Sequence, residues 1–143
     1  RIFNASIFKA KVNAVSRLAN VKAGGVAVFN NGTNSKITNS FVRKSFINSD
    51  TIIGSNAVSA ISGGIVAQNE GTVSECYVTH ESSDSTAVQA NSGILSGATA
   101  VRDSVAGGLV GEMSNENINH CYVSSARIYS NTRASGMVGR KTN

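Results

Sequence analysis

The sequence is most informative through what it lacks. Its 143 residues include no proline and no tryptophan, only 15% of them are charged, and only two are cysteine and two histidine. No run of about 18 apolar residues is present, so we expect no membrane span. A Gly-x-Ser-x-Gly elbow, a Walker loop and a His-Glu-x-x-His zinc motif are also missing, so the sequence offers no recognised catalytic arrangement and no cofactor is expected.

Small polar residues and glycine take the place of what is missing. Serine (21), asparagine (16) and glycine (14) are spread along the whole chain, while 41% of the residues are hydrophobic. This apolar fraction is sufficient for a folded core. Turn-forming residues at such density are typical of many short strands joined by tight bends.

Four six-residue segments share one pattern, with a β-branched apolar residue at each end, five positions apart. In three segments another apolar residue follows five positions later, at Val12, Ile47 and Ile128, whereas the third segment has Ser83 there. The apolar residues do not follow helical spacing, so the segments are predicted to be strands. Their apolar ends, expected to line a core, are Ile2, Ile7, Ile37, Val42, Val73, Val78, Ile118 and Val123.

A second pattern places glycine directly before two apolar residues. The glycine falls at positions 25, 64, 108 and 136, with separations of 39, 44 and 28 residues. Paired glycines indicate sharp bends or close backbone packing. The apolar residues that follow, expected to form core positions on another side, include Ile65, Val66, Leu109, Val110, Met137 and Val138.

The two patterns alternate along the chain and predict a repeat fold. A single repeat cannot bury its own apolar face, so neighbouring repeats must stack. We therefore predict an all-β fold, a parallel β-helix or β-solenoid of stacked irregular repeats with coils of about 20–30 residues. It is expected to be one domain over 1–143, a fragment of a longer solenoid, with repeats at about 1–23, 24–62, 63–106, 107–134 and a partial one at 135–143.

The glycine pattern at 107–111, followed by the segment 118–123, resembles the GLUG repeat. Residues 63–67 with 71–78 are similar to a second copy, and 135–139 to the start of a third. GLUG repeats occur in large secreted and surface proteins, including adhesin-like proteins and the non-catalytic parts of bacterial immunoglobulin A proteases. The resemblance therefore implies an extracellular or cell-surface scaffold or adhesive module.

The expected function is accordingly a non-enzymatic structural or adhesive module, with other proteins or glycans as surface partners and flanking domains or self-association through the solenoid ends. One alternative is a substrate-holding, non-catalytic region of a secreted metalloprotease. Another is a β-helix enzyme acting on polysaccharide, for which Asp50, Asp84 and Asp103 are the candidate acids. The net charge of +5 comes from scattered basic residues, so nucleic acid is not an expected partner.

Two neighbouring columns of the strand pattern carry the candidate sites. Cys76 and Cys121 occupy one equivalent position, which is expected to point inward, and they are predicted to be free thiols, with a disulfide between adjacent repeats as the alternative. Phe41, Tyr77 and Tyr122 form the next column and are expected to point outward. The column is interpreted either as an aromatic ladder or as a strip for contact with a glycan or protein.

The remaining candidates are histidines and asparagines. His80 and His120 do not form a paired zinc-ligand spacing with the cysteines, so they are predicted to be surface or turn residues and no metal is expected. Asn4 and Asn31 begin N-glycosylation sequons. Asn31 is the better candidate because it lies in a predicted turn, whereas Asn4 lies within a strand segment.

Overall fold

A computed structural model of the chain describes residues 1–16, 20–51, 59–79, 87–92, 103–114 and 117–142. Within these ranges the chain forms short β-strands and no helix. The first strands are β1 (Ile2–Phe3), β2 (Ser6–Phe8), β3 (Lys11–Ser16), β4 (Val21–Gly24), β5 (Ala27–Asn30), β6 (Lys36–Thr38), β7 (Phe41–Arg43), β8 (Phe46–Thr51), β9 (Ser59–Gly63) and β10 (Val66–Asn69). The later strands are β11 (Thr72–Ser74), β12 (Tyr77–Thr79), β13 (Ala87–Ser92), β14 (Asp103–Gly107), β15 (Val110–Met113), β16 (Ile118–Asn119), β17 (Tyr122–Ser124), β18 (Arg127–Ser130), β19 (Arg133–Ser135) and β20 (Val138–Lys141).

The strands pair into parallel four-stranded sheets, in which each strand neighbours the strand five positions earlier or later in the chain. The described strands thus form four repeats of five, which we call the first (β1–β5), second (β6–β10), third (β11–β15) and fourth (β16–β20) repeat. The predicted all-β class with parallel pairing is confirmed. The interval of five seen in the order β1-β6-β11-β16 recurs in all five sheets, and it is compatible with a β-helix.

Residues of successive repeats lie opposite one another in register. In the first sheet Ile2 pairs with Ile37, Ile37 with Val73 and Val73 with Ile118, which gives separations of 35, 36 and 45 residues. These separations exceed the 20–30 residues expected from the sequence. The reason is that each repeat contains five strands, and the sequence patterns accounted for only part of them.

Among the described residues, the inner faces of the sheets share one main apolar core, beside two smaller buried clusters. Most of its residues in the second and third repeats are fully buried, and most of their equivalents in the first and fourth repeats are partly buried and pack against them. Burying a Val, Leu or Ile side chain contributes about 1.5–3 kcal/mol to stability. The predicted core positions are confirmed for Ile37, Val42, Val73, Val78, Ile65, Val66, Leu109 and Val110, and, as partly buried residues, for Ile2, Ile7, Ile118, Val123, Met137 and Val138.

One core column departs from the five-residue spacing in the third repeat. In the sheet of β3, β8, β13 and β18, the residue opposite Ile47 and Ile128 is Val88, which is fully buried. The spacing leads to Ser83, the exception noted in the sequence, and Ser83 lies outside the described residues. The five-residue spacing fails because additional residues separate β12 from β13, so the apolar position comes later than predicted.

Left-handed bends separate the short strands of each repeat. Asn4, Asn39, Glu75 and His120 lie between the first and second strands of their repeats and have φ between 48° and 57°. Lys9, Lys44 and Ser125 follow the second strand of their repeats, with φ between 52° and 56°. Residues other than glycine rarely adopt a backbone conformation with positive φ. Its recurrence at equivalent positions therefore indicates that the stacked repeats impose it.

Several buried polar side chains are held by hydrogen bonds within the fold. Asn30 Nδ2 donates to Asn69 Oδ1 at 2.7 Å, and Asn69 Nδ2 donates to the Gly71 carbonyl at 2.8 Å. Ser49 Oγ and Ser62 Oγ, both fully buried, share a hydrogen bond of 2.8 Å. These bonds offset the free-energy cost of removing polar groups from water, so serine and asparagine are compatible with the interior.

Candidate functional site

The aromatic column lies on the outer face of the sheet formed by β2, β7, β12 and β17. Phe41 pairs with Tyr77, and Tyr77 pairs with Tyr122, while the adjacent valines of the same strands are directed into the core. The outward orientation predicted for these three residues is therefore confirmed. Ser6 holds the equivalent position in the first repeat, where the column ends.

The three rings stack on one another along the direction of strand pairing. The ring centroids of Phe41 and Tyr77 are 5.0 Å apart and those of Tyr77 and Tyr122 are 5.2 Å apart, with interplanar angles of 9° and 2°. These separations match the distance of about 4.8 Å between paired strands. Each internal ring face is thus covered by the next ring, and the column presents ring edges and the two tyrosine hydroxyls outward.

This geometry limits how the column can bind a ligand. A sugar or a nucleobase that stacks on an aromatic side chain needs an open ring face. In the column, only the outer face of Phe41, towards Ser6, and the outer face of Tyr122 are not covered by another ring of the column. The arrangement fits an aromatic ladder that stabilises the sheet, and the predicted role as a contact strip stays a prediction.

The two cysteines lie beside this column, at the bends that precede Tyr77 and Tyr122. Both thiols are free; Cys76 is fully buried and Cys121 is partly exposed. The Cys76 N–H donates to Cys121 Sγ at 3.4 Å, so the residues are neighbours in adjacent repeats. Each sulfur atom also lies close to a backbone carbonyl oxygen at its bend, Cys76 Sγ at 3.1 Å from that of Ser74 and Cys121 Sγ at 3.2 Å from that of Asn119.

The contact between the two cysteines shifts their pKa values in opposite directions. A hydrogen bond from the Cys76 side chain lowers the pKa of Cys121 to about 7, and the Cys76 N–H adds to this effect against the opposing effect of burial. The same hydrogen bond, together with burial, raises the pKa of Cys76. Because the thiolate is the nucleophilic form, Cys121 is the reactive member of the pair near neutral pH.

A second outward group joins the first and second repeats across the sheet of the aromatic column, the bends that follow it, and the next sheet, which contains β3 and β8. Phe8 pairs with Arg43, and Lys11 pairs with Phe46. Four cations and two phenylalanine rings therefore lie on two adjacent segments. We call this group, Phe8, Lys9, Lys11, Arg43, Lys44 and Phe46, the basic patch.

Cations in the basic patch lie over the aromatic rings. The Arg43 guanidinium is 4.9 Å from the centroid of Phe8, and the Lys9 and Lys44 ammonium groups are 5.4 Å and 6.0 Å from it. The Lys11 ammonium is 6.0 Å from the centroid of Phe46. These distances are within the range of cation–π attraction, which contributes about 0.5–1 kcal/mol at exposed positions.

The basic patch was not recognised from the sequence, which was interpreted as having scattered basic residues. A signal was present: residues 1–51 contain eight of the 13 Lys and Arg residues but only one of the eight Asp and Glu residues. Charge counted along the chain would have located the excess. Strand register was needed to show that residues 8–11 and 43–46 are neighbours.

The histidine and sequon predictions have different outcomes. His120 is exposed and lies at a left-handed bend, as predicted, and His80 is outside the described residues. Asn4 lies at a bend and not within a strand, and its Oδ1 accepts a hydrogen bond of 2.5 Å from Asn39 Nδ2. Asn31 is exposed in the loop after β5, beside Gly32 at a φ of 87°.

Two of the acidic residues considered for an enzyme lie on strands of different sheets. Asp50 lies within β8 and Asp103 begins β14, and Asp84 is outside the described residues. The Arg140 guanidinium contacts the carboxylates of Asp103 and Glu112. Among the residues that the structure describes, no cluster of three or more His, Cys, Asp or Glu residues suited to a metal ion is found.

No protein-family model, curated protein or solved structure matches the chain. In the described part of the chain, no helix is long and apolar enough to cross a membrane.

Proposed function

We propose that the chain is a non-enzymatic structural and adhesive module, built as a parallel β-solenoid, of a secreted or cell-surface protein. The observation that carries the proposal is the strand order: in all five sheets the strands follow one another at intervals of five along the chain. A chain that winds repeatedly through the same five directions produces this order. The resemblance to GLUG repeats supports the location at a surface and stays a prediction.

Further support comes from how each repeat depends on its neighbours. Ile37, Val42 and Val73 are fully buried, but the equivalent residues of the end repeats are only partly buried. Stability therefore arises from contacts between adjacent repeats, as in other repeat proteins. Such a scaffold holds its outward side chains at fixed spacing, which suits multivalent contact with an extended partner.

Duplication of one repeat tests the solenoid. Because Lys36 pairs with Thr72, residues 36–71 form one complete unit, and a tandem duplicate is expected to stack in register. The protein should unfold in a single transition, with a urea m-value roughly one quarter larger, because the buried surface grows with the number of repeats. The control duplicates residues 36–65 and omits β10, which interrupts the register.

Chemical denaturation followed by circular dichroism, with limited proteolysis, distinguishes the outcomes. A stable, protease-resistant 36–71 duplicate and a destabilised control support the solenoid. If the 36–71 duplicate leaves the m-value unchanged and is cleaved within the inserted residues, the repeat is not an independent stacking unit and the proposal fails.

A further inference from the structure

We propose that the basic patch binds an acidic polysaccharide, one that carries sulfate or carboxylate groups. This inference names the partner class of the proposed adhesive module and rests on that proposed function. The patch consists of two neighbouring segments, Phe8 to Lys11 in the first repeat and Arg43 to Phe46 in the second.

Positive charge is concentrated in the basic patch. Lys9 and Lys44 lie at equivalent left-handed bends of adjacent repeats, with φ of 53° and 52°. Adjacent repeats are separated by about 4.8 Å, and like charges at this distance destabilise a sheet. An anionic ligand would offset this repulsion, so the arrangement is favourable for binding although it costs folding stability.

The positive charge of the basic patch is local to the first and second repeats. The residues equivalent to Arg43 are Thr79 in the third repeat and Ser124 in the fourth, and Ser125 follows as the equivalent of Lys44. The described parts of the later repeats thus do not continue the cationic rows of Arg43 and Lys44. The row of Lys11 has Ala87 in the third repeat and carries a cation again only at Arg127 in the fourth. A ligand that recognises positive charge would be held at the first and second repeats and not along the whole sheet.

The cations that cover the aromatic rings indicate which kind of anion binds. Proteins that bind single-stranded nucleic acid stack bases on open aromatic faces, and membrane-binding surfaces insert apolar side chains. Here cations lie over Phe8 and Phe46, and Arg1 and Lys22 lie over the exposed rings of Phe3 and Phe29 at 5.5 Å and 4.7 Å. Aromatic faces covered by cations suit neither use.

Hydrogen-bonding groups lie next to the basic patch. Ser6 is exposed two residues before Phe8 on the same face of β2, and the Asn4–Asn39 amide pair lies at the preceding bend. Hydroxyl and amide groups are suited to sugar hydroxyls. The combination of cations with a polar border therefore favours an acidic polysaccharide over the other polyanions.

The experiment measures binding of the full chain to dextran sulfate and to neutral dextran by biolayer interferometry at several salt concentrations. The test variant is K9Q/K11Q, in which two exposed lysines lose their charge. The matched control is R127Q/R133Q, which removes the same charge from exposed residues of the fourth repeat. Circular dichroism and thermal unfolding verify that both variants remain folded.

We expect tight binding of dextran sulfate, no binding of neutral dextran, and at least a tenfold loss of affinity for K9Q/K11Q, against less than twofold for R127Q/R133Q. The slope of log Kd against log salt should fall by about 1.4–1.8 in the test variant, because each lysine that neutralises one anionic group contributes about 0.7–0.9.

Three results would overturn the proposal: equal effects of the two variants, equal binding of neutral dextran, or tighter patch-dependent binding of a single-stranded DNA oligonucleotide or of vesicles containing phosphatidylserine. The duplication experiment tests the solenoid independently of this ligand. If the 36–71 duplicate folds but dextran sulfate does not bind, the solenoid stands and only the ligand assignment is wrong.

Discussion

At the scale of single residues, the left-handed bends show how stacking overrides local preference. Asparagine adopts positive φ readily because its side chain hydrogen-bonds locally, and it occupies the first bend in the first and second repeats as Asn4 and Asn39. The third repeat has Glu75 at this bend, with φ of 53°. Glutamate has no such local bond, so Glu75 lowers the stability of the repeat.

The substitution Glu75→Asn is therefore expected to raise the free energy of unfolding by about 0.5–1 kcal/mol, since a left-handed conformation costs most residues about 1–2 kcal/mol. Urea denaturation measures the change. The control is Glu75→Gln, which removes the same charge without favouring positive φ. If Gln stabilises as much as Asn, the gain comes from charge and the conformational explanation is wrong.

The cysteine pair also has a consequence at the residue scale. Because a hydrogen bond from Cys76 lowers the pKa of Cys121 to about 7, alkylation of Cys121 by iodoacetamide should reach half its maximal rate near pH 7. The folded state favours the thiolate, so this group adds stability as the pH rises from about 7 towards 9 and loses it as the pH falls through 7. Cys76, which is buried, should react only on unfolding.

Substitution of Cys76 by alanine removes the donor, so the midpoint for Cys121 should move up towards the ordinary thiol value. Mass spectrometry of the alkylated protein identifies which cysteine reacts. A midpoint near 9 in the unsubstituted protein would contradict the proposed influence of Cys76 on its neighbour.

At the scale of the structural element, paired glycines form the turn between the fourth and fifth strands in the first three repeats, whereas the fourth repeat has Ser135 before Gly136. A Cβ atom on Gly63 would lie 1.8 Å from the Val66 carbonyl oxygen, and one on Gly64 would lie 2.1 Å from the Gly108 carbonyl oxygen. Gly63 is thus required within its own turn, and Gly64 is required for stacking on the next repeat. These two distinct needs explain why the glycines occur as a pair.

This distinction predicts different costs for one substitution at equivalent positions. Gly64→Ala should lower the free energy of unfolding by about 3 kcal/mol, because the added methyl group meets backbone atoms that cannot move freely. Gly136→Ala should change it by less than about 0.5 kcal/mol, because a Cβ atom added there would have no neighbouring atom within 4 Å. Thermal and urea denaturation measure both variants, and similar losses would contradict the role of Gly64 in stacking.

The elements that the sequence did not predict are those whose burial depends on polar contacts. β8 contains Asn48, Ser49 and Asp50, a run without apolar alternation, although Ser49 is fully buried. Its hydrogen bond to Ser62, 13 residues away in the next strand, compensates for the burial. Pattern analysis relies on apolar periodicity, so it detects strands such as β7 and overlooks strands of this kind.

At the scale of the whole molecule, the core positions were predictable because they depend on residue types at fixed spacing. Val42 and Val78, for example, were assigned to the core from the strand pattern alone and are fully buried. The number of strands per repeat was not predictable in this way. The candidate site was only partly predictable: the outward aromatic column followed from alternation, but the neighbourhood of Lys9 and Lys44 required the register.

The order of the strands also determines how the molecule responds to mechanical tension. The first-repeat strands lie at one edge of every sheet and the fourth-repeat strands at the other, so a pull on the two ends acts along the hydrogen bonds between repeats. Hydrogen bonds loaded in this direction break one pair after another rather than all together. Each detached repeat of 35 or 36 residues releases roughly 120 Å of extended chain at about 3.3–3.6 Å per residue. A module of this design would lengthen stepwise under load and dissipate work as its repeats detach one after another.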